Sequence, residues 1–182
     1  MIDEARLAYL AGLVDAEGYI GARKHRRKGK PDLYYPHIIV AMTDPRIAQL
    51  FARTFGGAVH AKRPRGRSRQ VLHVWGVSNQ IALVCLRALA DFLIGKRQQA
   101  LLCLKLADRM AQCGRGQKID ADDLQWRRDI HLSCRKLNWA HSRKGQKPEE
   151  PAVFMQELDC AAPTRSTGVM AAYAAGLLDG DG

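Results

Sequence analysis

The chain has no Cys-x-x-Cys pair and no cysteine and histidine arrangement at zinc-finger spacing, although its 182 residues include five cysteines, Cys85, Cys103, Cys113, Cys134 and Cys160. That absence argues against the common zinc modules. An odd number of unpatterned thiols reads as reduced, mostly buried small hydrophobes. No apolar run reaches the length that spans a bilayer, and the N-terminus lacks the basic and apolar stretches of a secretory signal. A soluble protein of the cytoplasm or an organellar matrix is expected, with no membrane partner. Acidic residues are few, 18 against 29 Lys and Arg, for a net charge of +11. Such an excess favours a polyanion, bound by neutralising phosphates and releasing counterions. With 47% hydrophobic and 26% charged residues the chain is not of the disordered class. Its length suits one domain with a proper core and a remainder.

What is present in duplicate is more informative. The segment Leu10-Ala11-Gly12-Leu13-Val14-Asp15-Ala16-Glu17-Gly18 returns as Ala174-Ala175-Gly176-Leu177-Leu178-Asp179-Gly180-Asp181-Gly182, and a tyrosine, Tyr9 or Tyr173, precedes each copy. An internal repeat governs how the rest is read. Over 3–16 the spacing predicts a helix with Leu7, Leu10, Leu13 and Val14 on one side and Ala8, Ala11, Gly12 and Asp15 on another. The second side is nearly bare, so another helix can approach backbone to backbone. Glycine costs about 1 kcal/mol inside a helix, which gives Gly12 a packing reason. Gly18 suits a helix end.

Strands are expected over 19–24 and 33–42, with the basic run from Arg23 to Lys30 at the hairpin tip. Thr43-Asp44-Pro45 is a helix start, Ile47, Leu50, Phe51 and Phe55 form that helix's apolar face, and Gly56-Gly57 ends it. A second hairpin is expected over 58–63 and 70–77, joined through Arg65, Arg67 and Arg69. Helices follow over about 79–91, 96–110 and 120–137, the last packed through Trp126, Ile130, Cys134 and Leu137. Residues 139–169, rich in Pro, Ser, Lys and Gly, read as a linker, and a helix restarts near Met170. His131 and His141 receive no chemical role.

The motif pair and the order α-β-β-α-β-β-α with trailing helices resemble the LAGLIDADG homing endonuclease family, closely over residues 5–112. The resemblance implies an α+β fold whose four-stranded antiparallel saddle sheet binds DNA. It implies residues 1–138 as a complete repeat, 139–169 as linker and 170–182 as the motif helix of a second, truncated-looking repeat. It implies site-specific hydrolysis of double-stranded DNA, across the minor groove and leaving 3′ overhangs, with Mg²⁺ or Mn²⁺. The acid before the last motif glycine holds the metal in that family, which here falls on Glu17 and Asp181. Carboxylates holding Mg²⁺ suit phosphodiester cleavage because the cation neutralises phosphate charge and activates water. For a lone motif, Glu17 would more simply close a helix or pair with lysine, and the repeat favours metal. Motif one carries Glu where the family often has Asp, which shifts the ligand geometry. Asp15 and Asp179, two residues earlier, are expected to be structural.

The family also places an acid or amide near Asp44 to position water, whereas the residue type alone makes Asp44 a helix N-cap, and both can hold together. Lys96 matches a lysine at the active-site periphery, against a plain solvated lysine at a helix start. Arg97 is the weaker alternative for that role. Alternation along the strands puts one set of side chains toward the major groove. Candidates are Arg23, His25, Tyr34 or Tyr35, His37, Lys62, Arg63, Arg65, Arg67, Arg69, His73 and Trp75. The first basic run adds Lys24, Arg26, Arg27 and Lys28, its lysines suited to phosphates. A solubilising face would explain one such run, and explains two runs at two hairpin tips less well.

Two other readings stand beside the endonuclease: an intron RNA maturase on the same fold, and a non-catalytic DNA-binding derivative. No strands follow Gly182, so the partner expectation is either a missing second repeat or a homodimer joined through the first motif helices. The last helix is then an appendage or takes the partner's place. A single sheet covers half a long site, so poor cleavage and weak, salt-sensitive binding are expected of the chain unless it dimerises.

Overall fold

A computed structural model describes residues 3–63, 70–113, 119–142, 147–155 and 165–181; the side chains of 141, 142 and 181 lie outside that description. The elements are α1 (Glu4–Glu17), β1 (Gly18–Arg27), β2 (Lys30–Met42), α2 (Pro45–Phe55), β3 (Val59–Lys62), β4 (Leu72–Ser78), α3 (Asn79–Leu89), α4 (Arg97–Gln112), α5 (Ala121–Ser142) and α6 (Thr167–Asp181). This is the expected α+β order, with a four-stranded antiparallel sheet ordered β1-β2-β4-β3. No described helix is long and apolar enough to cross a membrane.

The first hairpin is longer than its composition suggested. Arg23 to Arg27 lie within β1, and the turn is confined to Lys28-Gly29, with Gly29 at φ +68°. A charged run reads as loop only if both faces of a strand are assumed to want cover. Here one face is open, so basic residues continue the strand.

Register separates the two faces. Ile20 pairs with Ile38, which pairs with Val77, and Val40 pairs with Trp75, which pairs with Val59. Ile20, Ile38, Val40, Trp75 and Val77 are buried together with α1, α2, α3 and α4 residues. Trp75 is central: its ring stacks on Phe51 at 5.0 Å and its Nε1 donates to the Gly56 carbonyl at 2.8 Å. Gly57, at φ +88°, leaves room for this, since a Cβ there would sit 2.7 Å from Val77 Cγ1.

An edge strand leaves unpaired carbonyls that need cover. On β1 that cover is α5. Asn138 Nδ2 donates to the Ile20 carbonyl at 2.8 Å and His131 Nδ1 meets the Ala22 carbonyl at 2.6 Å. A carbonyl only accepts, so His131 carries its proton on Nδ1. The role of His131 is thus to close the sheet edge, with Tyr34 stacked at a tilt 5.6 Å away. Residues 147–155 run along α5 without regular structure, tied by Ala152 N–H to Asp129 and Met155 N–H to the Ser133 hydroxyl.

Candidate nucleic-acid interface and acidic helix ends

The bare side of α1 packs against α6. A Cβ on Gly12 would lie 2.2 Å from the Tyr173 carbonyl oxygen, one on Gly176 would lie 2.0 Å from that of Tyr9, and one on Gly180 would lie 2.3 Å from Ala16 Cβ. Gly12 therefore meets Gly176 and Ala16 meets Gly180, so the helices run parallel and end side by side. The tyrosines close the pair reciprocally: Tyr9 Oη donates to Asp179 and Tyr173 Oη to Asp15, each at 2.8 Å. Burial, reinforced by Asp179, pushes the Tyr9 hydroxyl up to about 12, and burial with Asp15 raises Tyr173 further. In this structure α6 occupies the α1 face through which a homodimer was expected to form.

Asp15 does more than accept from Tyr173. Its carboxylate also takes the backbone N–H groups of Ile94 and Gly95 on Oδ2 and of Lys96 on Oδ1, at 2.7, 3.0 and 2.7 Å. It thus holds the turn into α4, the structural role expected of it. That turn delivers Lys96, which is buried rather than solvated. Its Nζ donates to the Val14 and Asp15 carbonyls at 2.9 and 2.5 Å, with Ala16 O at 3.5 Å. A cation on the last carbonyls of a helix complements the negative end of the helix dipole. Arg97 is engaged elsewhere, on the Ala90 carbonyl and with Asp91.

Glu17 follows directly, exposed at the end of α1. Asp181 is the last residue of α6, and its side chain lies outside the described residues. Among the described residues no group of three or more His, Cys, Asp or Glu side chains gathers at a metal-sized site. The donor chemistry nonetheless fits a hard divalent cation: oxygen ligands at two adjacent helix ends, each carrying about half a negative charge from its dipole. Asp44 is the N-cap of α2, accepting from Arg46 N–H at 2.8 Å and pairing with the Arg46 guanidinium. Those bonds hold its carboxyl below the usual range. It lines a cavity of about 570 Å³ with Tyr9, Thr43, Ile47 and Asp179.

The second face of the sheet is open, and the predicted readers divide between the two faces. Arg23, His25, Tyr35, His37 and Lys62 stand on the open face by register. Trp75, His73, Tyr34 and Lys24 do not. Trp75 is fully buried in the aromatic core, Tyr34 packs on His131, His73 pairs in register with Met42 on the helix side, and Lys24 binds Asp32 at 2.9 Å. A two-residue period puts Tyr35, not Tyr34, on the His37 side. Even His37 is only 9% exposed, its Nδ1 bonded to Ser78 Oγ at 2.8 Å. Burial and the nearby Arg23 charge lower its pKa. Arg27 donates to the Pro31 carbonyl within the hairpin, whereas Arg26, Lys28 and Arg63 are exposed. Arg65, Arg67 and Arg69 lie outside the described residues. Composition also passed over the open-face residues Tyr19, Ile39, Ala41, His60, Val74 and Gly76, because most carry no charge. The β1–β2 and β2–β4 pairings identify all of these but His60, which pairs with Val74 across β3 and β4.

No family model and no curated protein matches the chain. Solved structures do. The LAGLIDADG homing endonuclease I-GzeII, in complex with its DNA target, superposes with a TM-score of 0.62 at 16% identity, over 93% of this chain and 58% of that one. The homing endonuclease I-CvuI, in complex with its target in the presence of Ca, gives 0.53 at 21% identity, over 80% and 87%. An archaeal intron-encoded homing endonuclease complexed with DNA gives 0.53 at 16%, over 94% and 96%. The chain spans a little over half the length of the first of these.

Proposed function

We propose that this chain, which has the fold of the LAGLIDADG homing endonucleases, is a site-specific, divalent-metal-dependent endonuclease of double-stranded DNA, of the intron- or intein-associated homing type. The observation that carries the proposal is the parallel α1–α6 pair. Its glycine contacts and crossed Tyr–Asp bonds bring two acid-bearing helix ends together at one end of an open, basic sheet face. The likeness to endonucleases described with their DNA targets supports the same reading.

On this reading each group has a separate task. Arg23, His25 and Lys62 meet the duplex from the open face, and Arg26, Lys28 and Arg63 meet its phosphates. Glu17 and Asp181 hold Mg²⁺ or Mn²⁺, which supplies charge neutralisation at the scissile phosphate and activation of water. Lys96 fixes the last turn of α1 from within, and so fixes the backbone from which Glu17 projects. It is a positioning residue here. Asp44 orients α2 beside the helix ends. A second recognition sheet, from another copy or another repeat, extends the contact to a full site.

Nicking of supercoiled plasmid carrying randomised inserts tests the proposal. Nicking is expected with Mg²⁺, is expected to stop with EDTA, and is expected to fall at least a hundred-fold in Glu17→Gln while DNA binding persists. Unchanged nicking by Glu17→Gln would sink the assignment of Glu17 and the metal reading with it.

A further inference from the structure

The open face is chemically uneven along its length. β1 starts at Gly18, directly after Glu17, so the part of the sheet around Tyr19, Ile39 and Ala41 lies nearest the acidic helix ends. There Ile39 pairs with Gly76 and Ala41 with Val74, and none of these four carries a hydrogen-bonding side chain; at the edges of the same rows Tyr19 pairs with Ile39 and His60 with Val74. Farther out, Gly21 pairs with His37, whose Nδ1 is already engaged by Ser78. Beyond them Arg23 pairs with Tyr35. Arg23 is exposed, and among the described residues no ion pair holds it.

These surfaces read base pairs by different means. An arginine can donate to both O6 and N7 of guanine, which is the strongest common major-groove discrimination, worth about 1–3 kcal/mol. Aliphatic side chains and glycine cannot distinguish donor from acceptor edges. They touch only the thymine methyl or the shape of the groove. From Ile39 to Tyr35 the strand advances about 13 Å at its usual rise. At roughly 3.4 Å per base pair that is about four base pairs.

We infer that this face discriminates unevenly along the duplex: Arg23 selects guanine at an outer position, while the strip in the middle of the inner rows, Ile39, Ala41, Val74 and Gly76, is limited to methyl contact and shape, with hydrogen-bonding groups there only at the two edges, on Tyr19 and His60. The inference rests on the face being a duplex reader, as proposed above. The strip has room for what it lacks. A Cβ on Gly76 would meet Ile39 Cγ1 at 3.5 Å, an ordinary contact. Asparagine placed there can offer the bidentate pattern that selects adenine.

The test is repeated selection of a randomised duplex library by the full chain, with Ca²⁺ present and Mg²⁺ absent. The wild-type motif is expected to be sharpest at a guanine and weaker at every position on its inner side. Arg23→Ala is expected to lower that guanine preference at least five-fold and leave the other positions alone. Gly76→Asn is expected to add an adenine preference about four base pairs inward of that guanine. Inner positions fixed as sharply as the outer one, a motif untouched by Arg23→Ala, or no new preference with Gly76→Asn overturns the inference. A wild-type chain that enriches no motif overturns the duplex reading on which it rests.

Discussion

Substituting Gly12 by alanine is the most informative perturbation of the helix pair. In an ordinary helix it stabilises, by about 1 kcal/mol. Here the new methyl would stand 2.2 Å from the Tyr173 carbonyl oxygen and 2.8 Å from Leu177 N, both backbone atoms that cannot rotate aside. Relief requires α1 and α6 to separate by about 1 Å, which forfeits a quarter to a half of the dispersion contact along the seam. The same shift stretches Tyr9–Asp179 and Tyr173–Asp15 from 2.8 Å. At about 3.8 Å these are no longer hydrogen bonds. Each bond to a carboxylate contributes about 1.5 kcal/mol at the low end of its range. After subtracting the gain in helix propensity, the net cost is about 2–4 kcal/mol. For a chain of this length that lowers Tm by roughly 5–15 °C. Gly168 is the control, since it also lies in α6 but a Cβ there would meet nothing within 4 Å. Urea and thermal unfolding of the two variants should show Gly12→Ala well below wild type and Gly168→Ala at or slightly above it. Equal or greater stability for Gly12→Ala would refute the close parallel packing.

Three further expectations follow from the same geometry. Lys96→Met removes the cation on the Val14 and Asp15 carbonyls and should cost about 1–3 kcal/mol in thermal unfolding; an unchanged Tm would mean the ammonium does not hold the end of α1. Burial lowers the pKa of His131 and of His37 in the fold, so below about pH 6.5 the unfolded chain takes up protons that the folded chain resists. Stability should therefore fall as pH drops from that value and stay level just above it, and His131→Gln should flatten the slope between pH 7.5 and 5.5. Trp75→Phe, which keeps the stack on Phe51 but loses the bond to Gly56, should cost about 1 kcal/mol in urea unfolding and leave DNA binding unchanged; weakened binding with unchanged stability would return Trp75 to the interface.

Much of the fold was legible because the repeat marks it twice. Gly12 in a leucine-bearing helix announced a close helix partner, and Gly176 supplied it. The strand order followed from hydrophobic runs between glycine and proline punctuation. Face assignment was less legible. Trp75, His73 and Tyr34 look like nucleic-acid readers by residue type, and only register shows that they share a face with Ile38 and Val40. The basic run of β1 looked like loop because composition does not reveal that, among the described residues, one face of the sheet has no helix on it. For Lys96 the sequence offered a lysine at the site's periphery or a solvated one at a helix start, and neither reading showed its ammonium buried on the α1 carbonyls. Its role depends on Asp15, some eighty residues away, pinning the turn that carries it. The edge-capping bonds of His131 and Asn138 are likewise products of tertiary packing, without a local signature.

The proposed divalent-metal site lies at the paired ends of α1 and α6, against DNA. Electron paramagnetic resonance of Mn²⁺ bound to the chain in the presence of duplex DNA tests it most directly. Bound Mn²⁺ is expected in the wild-type chain and is expected to be lost in Glu17→Gln and in Asp181→Asn while DNA affinity stays within about two-fold. Mn²⁺ bound equally by all three proteins would place the metal elsewhere and contradict it.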